Sequence, residues 1–212
     1  LKRLDTTKIT LVLLFTTLIA LAVYFANERI IYTDTAVYMD VMIQERALFI
    51  ATNRFISVFA QLLPWLGIYL GLPLKTLIIL YSLNAMLLPV IGAFICFHIF
   101  KSKETALGLL LFYLIMNFWL FYYPVSEFQM GLYFFFVYHA FLLHYFKNEN
   151  RKLWVFVLMS LFMMITIAIS HPLSIFVIVA WLAWWLLEYP YGRKWILALP
   201  LTIALASCLI RD

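Results

Sequence analysis

The sequence predicts an all-α fold, a polytopic transmembrane helix bundle of about seven spans with a long first outer loop carrying juxtamembrane helices. Three observations predict it. Of 212 residues 67% are hydrophobic and 12% charged, and the mean hydropathy is +1.01, values outside the range of a water-soluble domain of this size. Apolar runs recur at lengths near the roughly 20 residues that a hydrocarbon core about 30 Å thick requires. The breaks between them are short and polar, and basic residues gather in alternate breaks.

The first run, Ile9–Ala26, is too long for a signal-peptide core, and no small-residue cleavage site with a soluble domain follows it, so it reads as a retained helix. Further spans are expected at Leu77–Phe100, Thr105–Tyr122, Gly131–Phe146, Leu153–Ile169, Leu173–Leu187 and Trp195–Ile210. The run Phe55–Leu70 is different. It would rise only about 24 Å as a helix, and Gln61 and Pro64 inside it would need partners in lipid. It is read as a juxtamembrane or re-entrant hairpin that does not cross.

With a cytoplasmic N-terminus that reading places Lys2, Arg3, Lys8, Lys101, Lys103, Lys147, Arg151, Lys152, Arg193 and Lys194 inside, satisfying the positive-inside rule. An outside N-terminus with a crossing 55–70 run places equally many basic residues inside, so helix length and the polar groups decide. The chain is one membrane domain, 1–212, whose first outer loop is 27–75. Leu1 in place of Met, and Arg211-Asp212 directly after an apolar run, read as cuts in a longer protein. Cys96 and Cys208 lie inside apolar runs and offer neither a disulfide frame nor metal-ligand spacing. The net charge of +5 sets topology here and does not indicate nucleic acid.

The chemistry-bearing residues fall on the outer side. Asp34, in Tyr-Thr-Asp-Thr-Ala-Val-Tyr, follows the first span closely, and on a helix it shares a face with Tyr38 at i, i+4 while Asp40 points elsewhere. Asp34 is a candidate general base and Asp40 a candidate positioning group or metal ligand; as bland alternatives Asp34 caps a helix and Asp40 is solvated. Glu127, in Tyr-Pro-Val-Ser-Glu-Phe-Gln, is the only acid between Glu104 and Glu149. A carboxylate at the mouth of a membrane bundle is a functional candidate by default, and a helix cap otherwise. Gln129 stands beside it. Arg54 has the planar fork that suits a phosphate or carboxylate, or it snorkels from an interfacial helix. His171, in Ser-His-Pro, is placed to bond a phosphate or shuttle a proton, or to start the next helix.

An acid just after the first helix, interfacial helices with a basic residue, and a second acid in the next outer loop together resemble the GT-C superfamily of membrane glycosyltransferases. Asp34, Arg54 and Glu127 carry the resemblance, as architecture more than motif. It implies a polyprenyl-phosphate-linked sugar donor, a glycan or protein acceptor, and inversion at the anomeric carbon, with Asp34 as base. Arg54 and His171 would then meet the phosphate, and Glu127 the acceptor or a divalent cation, magnesium or manganese. It further implies a multi-pass protein of a bacterial cytoplasmic membrane with its site facing outward. Many members carry an adjacent acidic pair, whereas here Asp34 and Asp40 are separated. The Asp34–Tyr38 spacing and His171 are also similar to polysaccharide polymerases of the EpsG and Wzy type, although no arginine occurs between Arg54 and Arg151. A transporter or structural subunit is the third class, but Asn84, Asn117 and His139 are few polar groups for a pathway.

Overall fold

The computed structural model describes residues 5–31, 33–50, 55–120, 122, 126–147, 152–188, 197–200 and 202–203, and these are helical and connecting segments without a strand. In chain order the helices are α1 (Thr6–Tyr24), α2 (Ala26–Ile30), α3 (Thr33–Glu45), α4 (Val58–Tyr69), α5 (Leu74–Phe94), α6 (Lys103–Leu120), α7 (Glu127–Lys147), α8 (Leu153–Ala168) and α9 (Pro172–Glu188). A 3-10 turn, Phe55–Ser57, leads into α4, and a π turn, Ile95–Ile99, extends α5.

Hydropathy and physical boundaries differ in instructive places. Asp5 caps α1, its Oδ1 accepting from the Thr7 amide at 3.1 Å, so the helix begins before the apolar run does. The helix α7 begins at Glu127, ahead of the expected Gly131, so Glu127 and Gln129 lie in a helical first turn and not in a loop. A carboxylate there complements the unpaired amides and the helix dipole. The expected span Trp195–Ile210 falls largely outside the described residues.

Neighbouring long helices run in opposite directions. At one end, Lys103 on α6 forms a salt bridge with Asp5, which ties the start of α6 to the start of α1. At the other end, Ser82 Oγ on α5 donates to the Ala22 carbonyl of α1 at 2.6 Å. Lys8, Lys101, Lys103, Lys147 and Lys152 belong to the first end, with Asp5 and Glu104; Glu28, Asp34, Asp40, Glu45 and Glu127 belong to the second, with Arg29, Arg46 and Lys75. The core is apolar and aromatic, with Tyr138, Phe141, Phe156 and Trp185 fully enclosed. Large apolar side chains also cover the outside, among them Leu13, Ile91, Phe94, Ile115, Phe162 and Phe176. An apolar exterior of this kind marks a surface fit to meet lipid or another protein. Among the described residues two helices are long and apolar enough to cross a membrane, Thr6–Tyr24 and Leu74–Ile99, with mean hydropathies of 2.0 and 2.1.

The segment after α3 closes over the second end. Gln61 Oε1 accepts from the Phe49 amide at 2.8 Å and its Nε2 donates to the Phe49 carbonyl at 2.7 Å, which clasps the α3–α4 connection to α4. The helix α4 then lies antiparallel to the first half of α5, joined by a turn in which Gly71 takes the left-handed conformation (φ 69°). Pro64 interrupts α4, and Asn84 of α5 bridges the turn before it: its Oδ1 accepts from the Leu63 amide at 3.0 Å and its Nδ2 donates to the Phe59 carbonyl. Thus Gln61, the polar side chain that argued against a lipid-exposed crossing, has backbone partners inside the protein.

Replacing Asn84 by leucine keeps the volume but removes both side-chain hydrogen bonds to α4. The expected cost is about 2 kcal/mol, read as a lower thermal-unfolding midpoint by circular dichroism in detergent micelles. An unchanged midpoint would show that the bridge does not hold this hairpin together.

Candidate functional site

A polar cluster assembles where α2, α3, α5 and α7 meet at the acidic end. On α3 the residues Thr35, Tyr38, Met39 and Met42 are buried, a 3–4 spacing that turns Tyr38 inward. The Tyr38 hydroxyl donates to Glu127 Oε1 at 3.0 Å, a buried bond between residues 89 positions apart in sequence. Glu127 is 8% exposed. Tyr81 of α5 is fully buried beside them: its hydroxyl has no hydrogen-bond partner among the described residues and lies in the electrostatic range of Tyr38, Glu127 and Asp34. Asp34 itself is exposed, in the first turn of α3 and one turn before Tyr38. The cluster therefore has a buried floor, Tyr38, Glu127 and Tyr81, and an open carboxylate at its rim.

Arg29 forms a second layer. It is 2% exposed and lies against the Tyr113 hydroxyl, with Tyr133 close by. Burial pushes its guanidinium below the usual range and the two tyrosines oppose that shift; a guanidinium nevertheless keeps its charge at neutral pH. Gln129, 6% exposed, lies against the Tyr133 hydroxyl, with its amide nitrogen unpartnered among the described residues. A buried cation, a buried carboxylate and several phenols at one end of a helical bundle form a polar network that an apolar surround makes strong if satisfied and costly if not.

The remaining candidates divide. Asp40 is exposed and accepts from Gln44 Nε2 at 2.8 Å, a pair within α3 turned away from the cluster. His171 sits at the same end of the bundle, its ring 5.8 Å from that of Phe128 and edge-on to it, while its Nδ1 accepts from the Leu173 amide at 3.2 Å and so caps α9. Arg54 lies outside the described residues. Among the described residues no three His, Cys, Asp or Glu side chains converge as a metal site. Asp34 and Glu127 with phenol hydroxyls do not supply the six or so oxygen ligands that a magnesium or manganese cation takes without retained waters or substrate oxygens.

Sequence reasoning missed Arg29 and Tyr81. The signal for Arg29 was present, because the buried stripe of α1 runs Leu11, Phe15, Leu18, Ala22 and continues through Ala26 to Arg29. Tyr81 had none, since a tyrosine within an apolar run reads equally as core or as lipid contact.

The chain matches no protein-family model, no curated protein and no solved structure. Fold and site alone thus define it as an all-helical protein with two helices fit to cross a membrane and a buried carboxylate–tyrosine–arginine cluster at one end.

Proposed function

We propose that this chain is a polytopic membrane glycosyltransferase of the GT-C type, with about seven spans: α1, α5 to α9 and the 195–210 run. Its site lies on the outer face of a bacterial cytoplasmic membrane. The observation that carries the reading is the Tyr38–Glu127 hydrogen bond, which joins the first outer segment to the start of α7 and so gathers the candidate acids at one end. Lysines at the opposite end support the orientation. A hydrophobic donor tail stays in lipid while its polar head is processed at the rim, where protein excludes part of the water.

In the reaction, Asp34 takes the proton of an acceptor hydroxyl as that oxygen attacks the anomeric carbon. The bond from that carbon to the donor phosphate breaks, and polyprenyl phosphate leaves with the electron pair. Inversion follows from attack opposite the leaving group. Arg54 and His171 are assigned to the phosphate. Glu127 positions the acceptor through the Tyr38 hydroxyl, and Arg29 stabilises this arrangement from beneath.

The test is reconstitution of the full chain in proteoliposomes with a polyprenyl-phosphate sugar and an oligosaccharide acceptor. Release of polyprenyl phosphate with one sugar added per turnover is expected; release no greater than with boiled protein would overturn the reading. Long ladders of products would favour the polymerase instead, which draws on the same Asp34–Tyr38 pair and on His171 beside Phe128.

Sidedness is a separate prediction. Single cysteines at Asp34→Cys and Ser126→Cys should react with an impermeant thiol reagent from the same side of sealed vesicles, and Lys101→Cys from the other. Opposite labelling of positions 34 and 126 would remove the shared site.

A further inference from the structure

A groove of about 250 Å³ lies between α1 and the second half of α5, far from the polar cluster and at the basic end. Its walls belong to the two helices long and apolar enough to cross a membrane. Val12, Phe15 and Ile19 line one side and Phe94 and Phe97 the other, while Lys8 and His98 stand at its mouth. The volume is below the usual range for sites that enclose drug-sized molecules, about 300 to 1,000 Å³. A lining this apolar suits a hydrocarbon chain.

The charge at the mouth specifies the head of that chain. Lys8 is exposed and makes no ion pair among the described residues. Of the two acids at this end, Glu104 lies on α6 outside the groove lining, and Asp5 is already engaged by Lys103, whose hydrogen bond and charge hold its carboxyl below the usual value. Lys103 in turn lies over the Phe97 ring, 5.9 Å from its centroid. Lys101 comes next along the chain in a left-handed conformation (φ 55°), exposed at the same end. The local backbone is also unusual. The π turn Ile95–Ile99 adds a residue to the last turn of α5, and it carries Phe97 and His98. Such insertions rotate the downstream residues by about one position around the helix and are frequent where a side chain has a task beyond packing.

We propose that this groove binds one acyl chain of an anionic glycerophospholipid of the cytoplasmic leaflet, with the lipid phosphate between Lys8 and His98 and Lys101 nearby. The proposal rests on the membrane placement of α1 and α5 and not on sugar transfer. A water-soluble phosphate would satisfy the mouth but leave the apolar groove unfilled. A zwitterionic lipid would fill the groove but lose the charge complement.

The test is native mass spectrometry of the full chain released from bilayers of equal phosphatidylglycerol and phosphatidylcholine. The expected result is a retained phosphatidylglycerol, preferred over phosphatidylcholine by about five-fold for each lysine engaged. Lys8→Ala with His98→Ala should lower the preference by about five-fold, to what Lys101 alone sustains. Val12→Trp, at an exposed position on the groove wall, should reduce retention of both lipids. Equal retention of the two lipids by the unaltered chain, an undiminished preference in the double variant, or displacement by millimolar inorganic phosphate would each overturn the proposal. Asp34→Ala should keep the lipid. A preference that survives in a chain without transfer activity therefore separates this site from the enzymatic reading, and an active chain without the preference does the reverse.

Discussion

Asp34→Ala is expected to abolish sugar transfer from a polyprenyl-linked donor while leaving expression, membrane insertion and thermal unfolding near those of the unaltered chain. A positioned general base contributes about 10²- to 10⁴-fold, so turnover should fall by at least two orders of magnitude. The structural cost is small by comparison. Asp34 is exposed in the first turn of α3, where its interaction with the helix dipole is worth about 0.3 to 1 kcal/mol. Asp34→Asn should be as inactive as the alanine variant, because an amide keeps the hydrogen bonds but not the basicity. Asp40→Ala is the matched control: its carboxylate pairs with Gln44 on the same helix, and its loss should change turnover by less than about two-fold. Full activity in Asp34→Ala would remove the base assignment, and equal losses at 34 and 40 would point to charge at the rim in place of proton transfer. Release of polyprenyl phosphate measures turnover, and circular dichroism in micelles checks the fold.

Much of the helical order was legible because lipid-like composition leaves few alternatives. Leu153–Ile169 and Leu173–Leu187 differ by a residue or so from α8 and α9. Where the pattern misled, the cause was a polar residue turned inward. Glu127 was trimmed from α7 because hydropathy counts a carboxylate as a break, yet its partner is the buried Tyr38 hydroxyl across the bundle. Arg29 was not singled out, although its phase on the α1 stripe turns it inward. The Asp34–Tyr38 pairing came from helical spacing alone, and so did the divergence of Asp40. That Tyr81 joins them depends on α5 packing, which no local pattern encodes. Gln61 shows the converse: as a polar residue in the 55–70 run it argued for a protein partner, and it finds one in the Phe49 backbone.

Gly131→Val should be strongly destabilising. Gly131 lies one turn beyond Glu127, where α7 presses on the turn between α8 and α9. A Cβ built there meets Ser170 Oγ within contact distance, Ser174 Oγ at 2.7 Å and Ser170 Cβ at 3.1 Å. Neither serine can swing aside cheaply. Both are buried, and Ser170 Oγ bonds the Ile167 carbonyl and Ser174 Oγ. Two effects compete in the milder Gly131→Ala variant. Removing a helical glycine gains about 1 kcal/mol in propensity, while overpacking costs about 1 to 3 kcal/mol; contact this close with short, bonded side chains makes the steric cost win. Valine adds two methyl groups to that clash and should prevent a monodisperse folded chain in detergent. Ser170→Ala should recover part of the alanine variant's loss, since it removes the hydroxyl but leaves its Cβ in place. A rise in unfolding temperature for Gly131→Ala alone would show that the helices are not this close. The consequence reaches the site, because the same turn holds His171 against Phe128. Separating α7 from the α8–α9 turn would carry His171 away from the end where Glu127 and Asp34 meet, so Gly131→Ala should lose transfer activity beyond its loss of folded protein.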